Sequence, residues 1–155
     1  MGELRISVDP GFSGGIAVFT DDGGCLFTVN MPETFADIYD TFLDIQKHNN
    51  IKMCYLEDVG QGIPGQSSRA TATFARHNGH LEMALYALHI PVVKVKPSMW
   101  VKYYSNTIGK STGLSKTEWK NRLKQEAQRR FPYLKVTLKN SDALLIGEYG
   151  IKKGL

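Results

Sequence analysis

Three carboxylates stand where separate elements of the chain should end or begin: Asp9 in Val8-Asp9-Pro10-Gly11, Glu57 after the apolar run Met53–Leu56, and Asp142 in Asn140-Ser141-Asp142-Ala143. Two of them have ordinary explanations when taken alone. Aspartate before Pro-Gly is a common turn residue, and an acid near a helix start is favoured by the helix dipole. Glu57 is harder to dismiss, because an acid directly after a buried strand is costly if it points inward without a partner. Carboxylates at the carboxyl ends of neighbouring strands in an open α/β sheet lie where ligand sites form. Three acids converging there would repel one another, and their all-oxygen donors would select Mg²⁺ or Mn²⁺ over softer metals. Two such ions, about 3.5–4 Å apart, would clamp the attacking and leaving oxygens of a phosphodiester during in-line displacement. If they do converge, Asp9, Glu57 and Asp142 are catalytic and metal-ligating residues with two Mg²⁺ or Mn²⁺ ions per site; taken from placement alone, turn and cap roles stay open for Asp9 and Asp142.

The elements that must position these acids follow from pattern. Leu4–Val8, Gly15–Phe19 and Cys25–Asn30 read as a three-strand meander, and Asp21-Asp22-Gly23-Gly24 supplies the positive φ of a tight hairpin. Ile38, Phe42 and Ile45, joined by Phe35 and Tyr39, mark one face of a helix ending near Lys47. Met53–Leu56 is a short buried strand with Glu57 at its end. A glycine-rich loop, Gly60–Gln66, leads to a long helix that Ser67 or Ser68 caps and that carries Ala70, Phe74, Leu81, Leu85 and Leu88. Ile90–Val95 is a strand, followed by a short helical turn from Pro97 through Trp100 and Tyr103 and a loop at Gly109–Gly113. Ser115 and Glu118 form a capping box for a helix running to about Arg130, where Phe131-Pro132 stops it. Asn140 or Ser141 caps the last helix. The order βββαβαβ followed by helices implies an α/β fold with a mixed sheet.

A chain of 155 residues without repeat, linker or biased tract is expected to form one domain, residues 1–155. No apolar run is long enough to span a membrane, and the start MGELRISVDPG lacks a signal-peptide pattern, so a cytoplasmic protein is expected. Cys25 and Cys54 are isolated and read as buried thiols. His77 and His80 share a helix, but no third ligand stands near them in sequence. Gly11–Gly15 lacks the Gly-Lys-Ser/Thr end of a phosphate-binding loop and leads into a strand. A strand, Asp-x-Gly and a hairpin also open actin-like ATPases, which need two such domains and hence a longer chain.

Charge is distributed unevenly. Residues 1–90 hold 5 basic and 11 acidic side chains, and residues 91–155 hold 14 and 4, within a net charge of +4. Such a chain could neutralise phosphates with one surface and hold cations with another, although two solvated faces of opposite sign explain the counts equally well.

The ordered set of motifs resembles the phage-type branch of the RuvC-like Holliday junction resolvases. The resemblance runs through Ile6-Ser-Val-Asp9-Pro-Gly11…Gly15, Tyr55-Leu-Glu57-Asp58-Val, Gly65-Gln-Ser-Ser…Phe74…Gly79, Ile90-Pro-Val…Val95-Lys-Pro97…Trp100, Lys116…Arg129-Arg-Phe-Pro132 and Asp142-Ala-Leu-Leu-Ile…Glu148-Tyr-Gly. It spans nearly the whole chain. It implies a ribonuclease H-like fold with a mixed five-stranded sheet flanked by helices. It also implies a homodimer in which each subunit uses divalent metal to nick one of two opposed strands of a four-way DNA junction. Asp9, Glu57 and Asp142 fall on the family's metal-ligating positions. Asp58 faces away from Glu57 in an extended strand and is expected as a neighbour of the ligands or a loop contact. The family usually has a further acid three or four residues before the last, where Leu138 and Lys139 stand here, with Asn140 next. Either three carboxylates suffice, with Asn140 or water completing the shell, or cutting is impaired.

Lys94 and Lys96 alternate along the strand toward that site, Lys102, Lys110 and Lys116 surround the Gly109–Gly113 loop, and Arg69 follows the Gly60–Gln66 loop. These six are the expected DNA contacts. Lys120, Arg122, Lys124, Arg129 and Arg130 decorate the Ser115-capped helix, where ordinary solvation explains any one of them. Phosphate contacts of this kind set affinity and register more than sequence choice. Cleavage of structured RNA, flaps or forks by the same fold, and junction binding without cleavage, are the competing expectations.

Overall fold

The computed structural model describes residues 2–60 and 65–155. The first segments form β1 (Gly2–Asp9), β2 (Gly15–Thr20) and β3 (Cys25–Asn30), paired antiparallel in sequence order. Thr34 caps α1 (Phe35–Gln46) by accepting from the amide of Asp37, and α1 buries Ile38, Phe42 and Ile45. The chain then returns as β4 (Asn49–Glu57), parallel to β1. Ser67 caps α2 (Ser68–Ala87), which leads to β5 (Val92–Val95), parallel to β4. Helices α3 (Pro97–Ile108), α4 (Lys116–Arg130) and α5 (Ser141–Lys152) complete the chain. The strand order is β3-β2-β1-β4-β5, so the sheet is mixed and five-stranded as expected.

Each face of the sheet has its own core. Ile6, Val8, Ile16 and Cys54 pack with Phe42 of α1 and Leu81 and Leu85 of α2. On the other face Phe19 and Tyr55 pack with Trp100 and Tyr104 of α3, Leu123 of α4 and Leu144 and Leu145 of α5. Burying strand residues on both faces is what makes β2 and the end of β4 apolar throughout rather than alternating. Cys25 and Cys54 are buried and free. Among the described residues no helix is long and apolar enough to cross a membrane.

Four local expectations are corrected. β4 begins at Asn49, four residues before the apolar run, because Gly2–Leu4 of β1 pair with Asn49–Ile51 and extend the ladder through polar residues. β5 begins at Val92 rather than Ile90, since Ile90 and Pro91 lie in the connection. The short turn after Pro97 is instead a full helix of 12 residues. Trp100, Tyr104 and Ile108 recur every four residues along it and are all buried. Lys96 accordingly lies on no strand; it occupies the N-cap position of α3 and is separated from the strand geometry that would pair it with Lys94. The expected Gly60–Gln66 loop falls largely on residues 61–64, outside the described residues.

Candidate active site

The parallel register between β1 and β4 ends on the pair Val8 and Leu56, so the next residues, Asp9 and Glu57, leave adjacent strand ends. Gly14 shapes the turn beside Asp9. A Cβ on it would overlap the Asp9 carbonyl oxygen, so only glycine lets the chain double back there. Asp142 arrives from the other end of the sequence, in the first turn of α5. Helix α5 is seated tightly on the sheet. A Cβ on Gly147 would overlap the ring of Phe19, and Ser7 Oγ of β1 donates to the Ala143 carbonyl at 2.5 Å.

The three acids are buried within electrostatic reach of one another. Burial raises the Asp9 carboxyl far above the ordinary aspartate range, and repulsion from Asp142 and Glu57 raises it further. Glu57 is only 8% exposed. Burial pushes its carboxyl up, the indole of Trp100 pulls it down, and the Asp142 charge pushes it up again. Asp142 is likewise raised, by burial, against the pull of Lys120. Burial therefore outweighs any stabilisation of the Asp142 charge by the start of α5. Asn140 at the N-cap position makes no side-chain capping bond.

Two participants are not singled out by sequence. Trp100 Nε1 donates to Glu57 Oε2 at 2.7 Å, a buried bond that fixes the carboxylate's orientation. Lys120 of α4 is the cation whose charge lowers all three acids. Several of its neighbours on α4 are also basic, so nothing but the docking of that helix distinguishes it. The sequence signal for Trp100 is its apolar spacing with Tyr104 and Ile108, which marks burial and not a role.

The remaining expected positions separate. Asn140 is 4% exposed and fully engaged: its Oδ1 accepts from the Thr137 amide at 2.8 Å, while its Nδ2 donates to Thr28 Oγ1 and the Lys135 carbonyl, both at 3.1 Å. An aspartate would face that carbonyl with a second acceptor. Asn140 thus clamps the entry to α5 onto β3. Lys139 is exposed, with its amide donating to Thr137 Oγ1. Asp58 lies just past β4, where its amide donates to the Val95 carbonyl and its Oδ1 accepts from the Gly60 amide. Lys94 shares a cleft of about 440 Å³ with Glu57, Asp58, Asn78 and Glu82, and is paired to Glu82 at 2.9 Å. Arg69, Lys96, Lys102, Lys110 and Lys116 are exposed, on α2, at the N-cap of α3, on α3, in the following loop and at the start of α4. His77 packs against Phe12 and Phe74 and His80 against Phe35. Gly79 meets nothing within 4 Å of a built Cβ, so close packing within the chain is not its reason for being glycine.

The donor chemistry fits a hard divalent cation, since three oxygen-only side chains share a buried site and repel one another. Their side chains are not drawn up around a single point: among the described residues, no three His, Cys, Asp or Glu side chains form an ion-holding group.

This strand order with its flanking helices is that of a ribonuclease H-like fold. Among solved structures the chain is similar to Thermus thermophilus RuvC in complex with a Holliday junction substrate, with a TM-score of 0.70 and 12% identity, covering 97% of this chain and 96% of that one. A second Thermus thermophilus RuvC structure gives a TM-score of 0.61 at 15% identity and the same coverage. No protein-family model and no curated protein sequence matches the chain. At such identities the likeness establishes the fold alone.

Proposed function

We propose that the chain is a metal-dependent endonuclease that binds four-way DNA junctions and resolves them by paired nicks. The observation that carries this reading is that Asp9, Glu57 and Asp142, from three elements of a RuvC-like fold, are buried within electrostatic reach of one another. Asp9, Glu57 and Asp142 would hold Mg²⁺ or Mn²⁺, which would activate water and neutralise charge on the phosphodiester oxygens. The chain's own part is to orient and exclude. Trp100 holds the Glu57 carboxylate, the Gly14 turn and the α5 seat fix Asp9 and Asp142, and Lys120 offers a cation to the scissile phosphate. Arg69, Lys94, Lys96, Lys102, Lys110 and Lys116 would track the backbone of the junction arms, with Lys94 first leaving Glu82. Paired nicks require two active sites, hence a homodimer, and the single domain would act in the cytoplasm.

A second reading is favoured by one specific observation: the position of the family's further acid holds Lys139, and Asn140 is committed to structural hydrogen bonds. The protein would then bind junctions without cutting them. Incubating it with a labelled four-way junction, a fork, a flap and structured RNA, with Mg²⁺, Mn²⁺ or neither, separates the readings. Symmetric nicks in the junction that disappear in Asp9→Asn support resolution. Binding without nicks in either metal supports the second reading, and preferential cutting of RNA, forks or flaps moves the substrate class.

A further inference from the structure

Phe12 is large, apolar and 56% exposed, three residues after Asp9 in the turn between β1 and β2. Scattered exposed phenylalanines need no explanation, but this one is braced. Its ring centroid stands 5.2 Å from that of His77, which is 4% exposed and in turn 6.5 Å from Phe74. Gly11, at φ 106°, lowers the turn onto α2 so closely that a Cβ there would touch Phe74 Cε2 at 3.4 Å. The turn thus holds the ring in one place instead of leaving it to collapse into the core. Phe12 forms one wall of a cleft of about 400 Å³ whose other walls include Gln66, Arg69, Thr73 and Phe74.

An aromatic face and a guanidinium in one cleft, three residues from an acid of the active site, match the chemistry of a nucleotide: a flat ring to stack and a phosphate to pair. A paired base inside a duplex is already stacked on both sides. A base at a branch point is not, so an aromatic wall here rewards branched over linear DNA without reading sequence. Resting on the nuclease reading above, we infer that Phe12 is a stacking platform for an unstacked nucleobase next to the strand held at Asp9, with Arg69 taking an adjoining phosphate.

The test uses the wild type, Phe12→Ala, Phe12→Leu and Phe12→Tyr, with cutting blocked by EDTA. Each is titrated against a four-way junction carrying 2-aminopurine beside the branch point and against a linear duplex of the same sequence. Stacking predicts a fluorescence change on binding in the wild type and Phe12→Tyr that Phe12→Ala and Phe12→Leu lose. Junction affinity should fall roughly tenfold in the last two, within the range for one stacked base, while duplex affinity stays unchanged in all four. A Phe12→Ala protein matching the wild type in both signals overturns the inference and leaves junction resolution standing. Full affinity in Phe12→Leu also overturns it, because apolar bulk would then suffice. A wild type that does not prefer the junction over the duplex overturns both.

Discussion

Replacing Asp9 by asparagine should have opposite effects with and without metal, and the two together test the whole site. In the metal-free protein the Asp9 carboxyl is raised by burial and by its two acidic neighbours. A raised carboxyl costs nothing below its unfolded pKa, near 3.8. Above that pH the unfolded chain ionises while the folded chain retains the proton, so stability falls as pH rises until the folded pKa is passed. The slope for one proton is about 1.4 kcal/mol per pH unit. At about 2–4 °C per kcal/mol for a domain of this size, that is roughly 3–6 °C of melting temperature per pH unit. The asparagine amide of Asp9→Asn carries no such proton and is neutral in both the folded and the unfolded chain. In EDTA the variant should therefore melt above the wild type at pH 8, with the gap shrinking as pH falls toward 4. With Mn²⁺ at about 100 times its Kd, the wild type should gain about 2.7 kcal/mol, and Asp9→Asn should lose most of that gain along with cleavage. Differential scanning fluorimetry at several pH values, with EDTA or Mn²⁺, reads both effects. Parallel pH profiles for the two proteins in EDTA, or an undiminished Mn²⁺ shift in the variant, would refute the reasoning.

Other expectations follow from individual side chains. Trp100→Phe removes the donor at 2.7 Å from Glu57; it should cost about 1.5–3 kcal/mol in denaturant unfolding and move the acidic limb of the cleavage profile to higher pH, because Glu57 becomes harder to ionise. Asn140→Asp forfeits two donated hydrogen bonds; it should destabilise by about 1–3 kcal/mol without raising the nicking rate, and a faster nuclease would show that the position is a disabled ligand. Gly147→Ala must displace Phe19 and should cost about 1–3 kcal/mol by urea titration. Reversing charge at Lys102, Lys110 and Lys116 should flatten the dependence of log affinity on log salt by up to about 0.9 for each phosphate no longer neutralised; an unchanged slope would remove these residues from the interface.

The meander, the acids at two strand ends and the capped helices are legible in the sequence because each is a local pattern: apolar runs joined by an Asp-Asp-Gly-Gly turn, an acid closing an apolar run, Ser115 facing Glu118. What the sequence hides depends on distant docking. The full length of α3 is masked by Lys102, Ser105 and Asn106 on its outer side, although Trp100, Tyr104 and Ile108 hold the period. Asn140 resembles a cap or a substitute ligand because its partners, Thr28 and Lys135, are fixed only once β3 and the 135–140 segment meet. Lys120 is one basic residue among many until α4 packs beside α5. That packing is secured by Arg130, which bonds Glu126 at 2.7 Å and Glu148 at 2.5 Å and lies over the Tyr104 ring. Glu126 is thereby held below the usual glutamate range despite its burial.

The seat of α5 against β1 would also make an ion bound at the proposed site a mechanical part. Asp9 and Asp142 are 133 positions apart, and in the folded protein they are bridged by the packing of α5 and by hydrogen bonds such as Ser7 to Ala143. An ion shared between them would act as a reversible cross-link closing almost the entire chain into one loop. Ligand binding of that kind opposes any opening in which the last helix lifts off the sheet. Amide exchange in α5 should then slow with divalent metal more than exchange in α1, which no proposed ligand touches, so the metal would govern when the chain's two ends let go of each other.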